Sequence, residues 1–491
     1  MKAAAATVTA LLSASATAQY VLMDFEKRPH SNLQRRASSV ESDISNLRQD
    51  GGYFIDVTVG TPGQKFSLQL DTGSSDVWVP SSGSSACQAK SDKITRPGES
   101  DGCSKGSFTS SKSSTFQPFD EGTFQIQYVD KSSAKGSYFL DSFELGGVTI
   151  KNLTMGLAEE TDIPFGLVGI GYKGNEASLQ TVRDTYPNLP IAMQTSGNIK
   201  TVAYSLWLND LDASKGNLLF GAIDTEKYQG DLARLDLLPS GGTTGQVVEF
   251  NVPLTSVGGY SSSGSDSFSS SSFPITALLD SGTTLSYLPT DITNQIWNEV
   301  GAAYSQDLGV AVVPCTYSTS KAYLSFGFGG SQGPRINVTM DELVLEQAGV
   351  TISTGRHKST PGCTFGIQAQ PASSDGSASS YLLGDSFLRS AYVVYDLENN
   401  QVAIAPTKFN ASASNVVPFP SKGATIPSST PVAGANTTTS GSGSSGTPGY
   451  DASSGFQSES GESGATAIGL SALGLVAVSM STFFAVLASA I

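Results

Sequence analysis

Short runs of alternating apolar and polar residues recur along this chain, separated by turn-forming residues. Two such runs, FIDVTV at residues 54–59 and FSLQL at residues 66–70, flank the turn GTPG. A similar run, FPITALL, covers residues 273–279. Alternation with a period of two is typical of strands with one buried face, and a glycine-proline turn between two runs indicates a hairpin. The pattern predicts an all-β protein built from many short strands.

Two of the apolar runs end in an acidic turn, and the two turns share their sequence. The first reads LDTGSSDVWVP over residues 70–80, and the second reads LDSGTTLSYLP over residues 279–289. Aligning the two stretches places Asp71 on Asp280. If the two halves of the chain pack with approximate two-fold symmetry, these two aspartates meet at the centre of the molecule.

Two buried carboxyl groups held close together define a particular chemistry. Because both cannot carry a charge at once, one pKa rises and the pair shares a proton. The ionised member can take a proton from water while the protonated member polarises a carbonyl group. Asp71 and Asp280 therefore predict hydrolysis of a peptide bond in acid, without histidine, cysteine or metal.

The composition narrows the function classes further. The chain has 491 residues, enough for two or three domains, and a formal net charge of −15. An acidic surface argues against a nucleic-acid partner, which requires a basic face. His30 and His357 are the chain's two histidines, so a histidine-rich metal site is excluded. We predict neither a metal nor a cofactor.

The four cysteines fall near the two acidic turns, two beside each. Grouping by halves predicts the disulfides Cys87–Cys103 and Cys315–Cys363. The other two connectivities are formally open, but each would cross between the halves. Paired cysteines indicate a chain that folds in an oxidising compartment.

The N-terminus carries signals for secretion and processing. Residues 1–18 have an early lysine, an apolar stretch and a small-residue end, which together predict a signal peptide. Residues 19–49 contain dibasic pairs at 27–28 and 35–36 and are predicted to form a propeptide. Four sequons predict glycosylation in the secretory pathway, at Asn152, Asn337, Asn410 and Asn436.

The C-terminus predicts a glycolipid (GPI) anchor. Residues 408–454 are rich in Ser, Thr and Gly and are expected to form a stalk without a core. Residues 455–491 end in a long uncharged apolar stretch with no basic residue after it, so they are expected to be removed as an anchor signal. A retained single-span helix is the alternative. Candidate attachment residues are Ser453 or Ser454, with Ser460, Gly461 and Ser463 also small enough.

Several stretches, taken with the two acidic turns, carry a family resemblance. FGLVGIGY at residues 165–172 and YLLGDSFLRSAYVVYDLENNQVAIA at residues 381–405 match in order the strands that flank such turns. Over about residues 50–407 the chain resembles the pepsin-type aspartic proteases. With its basic-pair pro-region, stalk and anchor tail it is similar to the fungal GPI-anchored yapsin-like group.

The resemblance implies a fold and a set of residue roles. It implies a monomer with two pseudo-symmetric all-β lobes, residues 50–225 and 226–407, around a deep central cleft. Asp71 and Asp280 would hold the catalytic water. The resemblance assigns further roles to the turn and flap residues: cross-bonding of the two turns by Thr72 and Ser281, tight turning at Gly73 and Gly282, hydrogen bonds to the outer carboxylate oxygens from Ser74 and Thr283, and closure over substrate by Tyr128, supported by Trp78.

The flap also suggests a substrate preference. Asp130 stands two residues after Tyr128, where the resemblance places it near the pocket for the residue before the cut. A carboxylate there would favour Lys or Arg by direct charge pairing. The flap sequence YVDKSSAKG departs from the compact Tyr-Gly-Thr-Gly-Ser turn of pepsins, so the shape of its tip is open.

The expected function is that of a secreted, cell-surface aspartic endopeptidase that acts on peptides and proteins. Its GPI anchor would hold it at the plasma membrane, in the cell wall through wall glycan, or in both. A broad-specificity acid protease is one alternative. A non-catalytic peptide-binding wall protein on the same fold is another.

Overall fold

Strands dominate the structure, as the alternating pattern predicts. Their short length follows from the many glycine, serine and proline turns, and the burial of their apolar positions follows from the two-residue period. The computed structural model of the chain describes residues 20–27, 52–88, 102–128, 131–213, 215–240, 245–346, 350–353, 359–370, 381–432 and 449–457.

The first half of the chain supplies eleven described strands. They are β1 Val21–Lys27, β2 Tyr53–Val59, β3 Gln64–Asp71, β4 Val77–Pro80, β5 Gln117–Gln127, β6 Ser133–Leu145, β7 Val148–Thr161, β8 Leu167–Gly169, β9 Ala203–Trp207, β10 Lys215–Phe220 and β11 Ala222–Asp224.

The second half supplies the remaining described strands. They are β12 Leu232–Asp236, β13 Asn251–Tyr260, β14 Ser265–Phe268, β15 Ile275–Leu279, β16 Ser286–Pro289, β17 Ala303–Ser305, β18 Val310–Pro314, β19 Tyr323–Phe328, β20 Arg335–Thr339, β21 Val344–Leu345, β22 Thr351–Ser353, β23 Ser359–Phe365, β24 Ile367–Gln370, β25 Tyr381–Leu383, β26 Ala391–Asp396, β27 Gln401–Pro406, β28 Val416–Pro418 and β29 Ser429–Pro431.

The helices of the described residues are short, with at most 11 residues each. The α-helices are α1 Ser85–Gln88, α2 Ser178–Thr181, α3 Leu189–Thr195, α4 Thr290–Val300, α5 Met340–Leu343, α6 Asp385–Leu388 and α7 Ser453–Phe456, and the 3₁₀ turns are Ser110–Lys112, Lys173–Asn175 and Cys315–Thr319.

The strands form two lobes joined by one shared sheet. A 14-stranded sheet has the order β29-β12-β27-β26-β9-β10-β1-β2-β3-β8-β4-β7-β6-β5, so strands from both halves of the chain lie side by side in it. An eight-stranded sheet around β13 and a five-stranded sheet around β23 complete the second lobe. The observed architecture confirms the predicted all-β bilobal fold.

The same strand arrangement positions the acidic turn in each lobe. Strand β3 ends at Asp71 and runs parallel to β8, and strand β15 ends one residue before Asp280 and runs parallel to β25. Leu68, Leu70 and Leu279 are fully buried, which explains the apolar residues that lead into each turn. The buried strands deliver both carboxyl groups to the middle of the molecule.

Both predicted disulfides are present. Cys87 and Cys103 have a Cα–Cα distance of 4.5 Å, and Cys315 and Cys363 have a Cα–Cα distance of 5.0 Å. Each bridge closes a loop within one lobe. The second joins a 3₁₀ turn to β23.

The prediction of a coreless stalk is wrong for residues 408–432, here called the strap. Its strand β28 pairs with β11, and β29 pairs with β12 at the edge of the shared sheet. Phe419 and Ile426 are buried. The composition argument failed because a few apolar residues in a serine-rich segment suffice to bury it when a sheet edge is free to pair with it.

Residues 449–457 also depart from the predictions, since 449–454 belong to the predicted stalk and 455–457 to the predicted anchor signal. They pack against the second lobe, where Ala452 and Phe456 are fully buried. The candidate attachment residues Ser453 and Ser454 lie in helix α7 of this segment. Among the residues that the structure describes, no helix has the length and apolar character to cross a membrane.

Several sequence-based predictions lie outside the described residues. They concern the signal peptide 1–18, most of the propeptide 19–49 with Arg28 and the dibasic pair 35–36, the tail from residue 458, Asp130 and Asn436.

We expect Phe419→Ala in the strap to lower the free energy of unfolding by about 3–5 kcal/mol, because it empties a fully buried aromatic site. Urea denaturation of the soluble protein measures the change. Ser421→Ala, at an exposed position two residues later, is the matched control. Equal unfolding midpoints for the two variants would contradict the packing of the strap.

Candidate active site

The two acidic turns hold their carboxyl groups in the same way. Asp71 Oδ1 accepts a hydrogen bond from the Gly73 amide at 2.8 Å, and its Oδ2 accepts one from Ser74 Oγ at 2.5 Å. Asp280 Oδ1 and Oδ2 accept from the Gly282 amide at 2.8 Å and Thr283 Oγ1 at 2.6 Å. Neither carboxyl group is exposed to solvent.

A reciprocal set of hydrogen bonds locks the two turns together. The amide of Thr72 donates to Ser281 Oγ at 3.2 Å, and the amide of Ser281 donates to Thr72 Oγ1 at 2.9 Å. Each hydroxyl then donates into the opposite lobe, Thr72 to the carbonyl of Leu279 at 2.9 Å and Ser281 to the carbonyl of Leu70 at 3.2 Å. The interlock sets the relative position of the two carboxyl groups.

Glycine at position 282 lets the two turns approach each other. A Cβ atom at Gly282 would lie 2.4 Å from Asp71 Oδ1 and 3.1 Å from Asp280 Oδ1. The first distance is a clash with a buried carboxyl oxygen, so no other residue fits without displacing it. Both Oδ1 atoms therefore lie beside the same glycine.

Burial and mutual repulsion shape the titration of the pair. Burial raises the pKa of Asp71, while its hydrogen bonds from Ser74 and Gly73 oppose the rise. Burial and the charge of Asp71 raise the pKa of Asp280 well above its usual range. Because two carboxyl groups buried this close do not both ionise readily, the pair shares one proton.

This arrangement brings together one base and one acid. The ionised carboxyl group can accept a proton from a water molecule, and the protonated one can donate to a carbonyl oxygen. Within the described residues, no three His, Cys, Asp or Glu side chains are grouped to bind a metal ion.

Tyr128 and Trp78, to which the resemblance assigns flap roles, are in contact and both are buried. Tyr128 follows β5 in the β5–β6 hairpin, and its hydroxyl accepts a hydrogen bond from Trp78 Nε1 at 2.8 Å. Both side chains are buried in a small aromatic cluster that also contains Phe124 and Tyr138. The flap strands are thus tied to β4, which leaves the Asp71 turn.

Asp76 is a buried acid that the sequence argument missed. Its Oδ1 accepts hydrogen bonds from the hydroxyls of Tyr138 at 3.1 Å and Tyr186 at 2.6 Å, and its Oδ2 accepts one from the Ala177 amide at 2.8 Å. Burial raises its pKa despite these bonds. A signal was available, because the alignment of the two acidic turns pairs Asp76 with Leu285 and breaks the repeat there.

A second buried acid, Glu176, lies beside this network. Its Oε2 accepts a hydrogen bond from the Tyr186 amide at 2.9 Å. Burial raises its pKa to about 9, and the nearby charge of Asp76 adds to the rise. Glu176 is therefore neutral throughout the acid range in which the carboxyl pair can work.

The other candidate residues have simple placements. Asn152, Asn337 and Asn410 are exposed, as glycosylation requires, and Asn410 Nδ2 donates to Asp210 Oδ2 at 3.3 Å. Asp130, the proposed specificity residue, lies in the flap segment outside the described residues, and Tyr128 is the last residue described before it.

Comparison with known proteins gives a consistent result. The model of the eukaryotic aspartyl protease family matches residues 52–407, which include both acidic turns and the β5–β6 hairpin.

Curated relatives match most of the chain. The probable aspartic-type endopeptidase opsB of Aspergillus fumigatus is 39% identical over 77% of this chain and 73% of its own length. The acid protease of Saccharomycopsis fibuligera is 38% identical over 76% of this chain and 86% of its own. The aspartic proteinase yapsin-3 of Saccharomyces cerevisiae is 32% identical over 81% of this chain and 75% of its own.

We expect Thr72→Ala to lower both stability and activity, because it leaves the amide of Ser281 and the carbonyl of Leu279 without their partner across the lobes. Each unpaired buried group costs about 1–3 kcal/mol. Urea denaturation and peptide cleavage measure the two losses. Thr72→Ser keeps the hydroxyl and serves as control; if it is damaged as much as the alanine variant, the hydroxyl is not the cause.

Glu176→Gln should stabilise the protein at neutral pH and leave it unchanged near pH 4. Because the folded state holds a proton on Glu176 up to about pH 9, the wild type loses stability as pH rises above the ordinary glutamate pKa of 4.5. Glutamine mimics the protonated acid and removes that loss. Thermal unfolding at pH 4 and pH 7.5, with exposed Glu159→Gln as control, tests this. A stabilisation of equal size at both pH values would refute it.

Proposed function

The chain belongs to the eukaryotic aspartyl protease family and is an aspartic-type endopeptidase, and from that premise we propose that Asp71 and Asp280 are its catalytic dyad. The observation that carries the proposal is the matched pair of buried turns. Each carboxyl group has its Oδ2 bonded to a hydroxyl of its own turn, and both Oδ1 atoms lie beside Gly282.

The reaction follows from the two protonation states. The ionised carboxylate takes a proton from water as the water oxygen bonds to the peptide carbonyl carbon, and the protonated carboxyl group donates its proton to the carbonyl oxygen. The tetrahedral product then collapses. As the C–N bond breaks, the proton held by the dyad passes to the departing amine nitrogen, and a hydroxyl group of the tetrahedral product returns its proton to the dyad. The dyad then again holds one proton.

The flap takes no part in proton transfer and contributes to the reaction by its position over the substrate. Tyr128 and Trp78 join the β5–β6 hairpin to the strand that leaves the Asp71 turn. A flap tied to the same turn as one catalytic group can close over substrate without disturbing the dyad, which helps to exclude bulk water.

We further propose that the enzyme prefers a basic residue before the cut. Asp130 follows Tyr128 by two residues, so flap closure would bring its carboxylate near the bound peptide. The net charge of −15 and the similarity to yapsins favour a basic substrate. Broad acid specificity is the competing proposal.

The location we propose is the cell surface. The signal peptide at residues 1–18, the paired cysteines and the exposed sequons at Asn152, Asn337 and Asn410 support secretion. The uncharged apolar stretch at residues 465–491 supports a GPI anchor.

Cleavage of a peptide library by a soluble form ending at residue 457 tests the dyad and the specificity together. Since each aspartate has a distinct proton-transfer role, we expect Asp71→Asn and Asp280→Asn each to lower activity at pH 4 by at least about 10³-fold. Asp307→Asn, an exposed change on the second lobe, should keep full activity. Cleaved peptides should carry Lys or Arg before the cut.

The outcomes separate the alternatives. A processed, folded wild type that cuts nothing between pH 3 and pH 7 would instead support a peptide-binding protein. Residual activity in either dyad variant equal to wild type would refute the dyad. Asp130→Asn should reduce the preference for basic residues, while Asp120→Asn on β5 of the same flap should not; unchanged preference in both would favour broad specificity.

A further inference from the structure

Residues 449–457, here called the C-terminal clasp, lie in a groove on the second lobe, although low-complexity sequence surrounds them. We propose that the clasp stays in the mature protein and holds the chain end on this lobe, so that lipid attachment occurs beyond Gln457 rather than at Ser453 or Ser454. The attachment part of this inference rests on the GPI anchor of the proposed function. The docking of the clasp on the second lobe does not depend on that anchor.

Asp266 at the start of β14 holds the first turn of the clasp. Its Oδ1 accepts a hydrogen bond from the Tyr450 amide at 3.2 Å, and its Oδ2 accepts one from the Ala452 amide at 3.1 Å. Asp266 is itself buried. A buried carboxylate that receives two backbone amides from one segment recognises that segment by its main chain, with charge-assisted bonds.

Serine hydroxyls of the second lobe donate hydrogen bonds to backbone carbonyls of the clasp. Ser261 Oγ donates to the carbonyl of Ala452 at 2.6 Å, and Ser263 Oγ donates to the carbonyl of Asp451 at 2.8 Å. Further along, Ser320 Oγ donates to the carbonyl of Gly455 at 2.8 Å. The clasp thus exchanges both donors and acceptors with the lobe, as a specific contact does and a chance apolar contact does not.

Side-chain packing supplies the apolar part of the contact. Phe456 is fully buried against β13, where a Cβ atom at Gly259 would lie 3.3 Å from its ring. A Cβ atom at Gly455 would lie 2.3 Å from Ser261 Oγ, so only glycine fits there. The sequence Ser-Gly-Phe is therefore suited to this groove and is not a generic stretch of small residues.

Attachment at Ser453 or Ser454 is incompatible with this packing. Transamidation at either residue removes everything after it, including Gly455 and Phe456. The small residues Ser460, Gly461 and Ser463 follow Gln457 by three to six positions. An extended chain of that length spans at most roughly 10–22 Å. The second lobe would then lie close to the membrane or wall surface, without a free stalk between them.

Acid pH should strengthen the docking. Glu299 of α4 is buried beside the clasp, and burial together with the charges of Asp266 and Asp451 raises its pKa to about 7. These two acids are the charged groups of β14 and of the clasp that act on Glu299. Undocking exposes Glu299 and returns its pKa toward 4.5, so docking weakens as pH rises from about 4.5 to about 7.

The docking is tested with soluble protein that carries no anchor signal. We compare forms ending at residue 457 and at residue 448 by thermal unfolding at pH 5. The longer form should melt at least about 2 °C higher. Phe456→Ala in the longer form should remove that difference, and exposed Ser454→Ala should keep it. Identical midpoints for wild type and Phe456→Ala would overturn the docking, even if the shorter form fails to fold.

The pH dependence uses the same pair of forms. The difference in midpoint should shrink at pH 7.5, and Glu299→Gln should restore it. A difference that is independent of pH in the wild type would overturn the role of Glu299.

The attachment site is tested on the full chain expressed at the surface of fungal cells. Phospholipase C specific for GPI releases the protein, and mass spectrometry identifies the C-terminal peptide. It should contain Phe456 and Gln457. The glycan remnant of the anchor on Ser453 or Ser454 would overturn the inference. A chain that carries no lipid at all would refute the anchor of the proposed function, while the thermal comparison still decides the docking.

Discussion

The interlock between the two acidic turns is the constraint on which the rest of the structure depends. Two carboxyl groups repel each other and lose their hydration when they are buried together, so they remain close only if the backbone holds them. Thr72 and Ser281 provide that hold by exchanging hydrogen bonds across the lobes. The interlock needs one turn from each half, which explains why the sequence contains the acidic turn twice and why the shared sheet joins the lobes.

Burial also raises the pKa of acids outside the dyad. Every resolved pKa shift of an acid among the described residues is upward and has burial as its largest cause, from Asp76 and Glu176 in the first lobe to Glu299 beside the clasp. A folded state that binds more protons than the unfolded chain loses stability as pH rises above the ordinary carboxyl pKa. These buried acids therefore contribute stability that is present in acid and is lost as the pH rises.

The sequence predicted those features that depend on local residue patterns and on the duplicated acidic turn. The period-two runs predicted the strands, the repeated turn predicted the meeting of Asp71 and Asp280, and grouping by halves predicted both disulfides. Composition wrongly predicted that the strap and the clasp have no buried residues. Each contains only a few buried apolar residues, such as Phe419 and Phe456, and their packing partners lie far away in the chain. Asp76 was missed because the alignment was read for its matches, and the informative position was a mismatch with Leu285.

The pH dependence of kcat/KM for the soluble enzyme on one basic peptide tests the central claim most directly. A dyad that shares one proton predicts a bell-shaped profile, falling in strong acid when the second carboxyl group is protonated and falling toward neutrality when the last proton leaves. The profile should be measured where the protein is shown to be folded. A profile that keeps rising through pH 8, or one with a single limb in folded enzyme, would contradict a shared proton between Asp71 and Asp280.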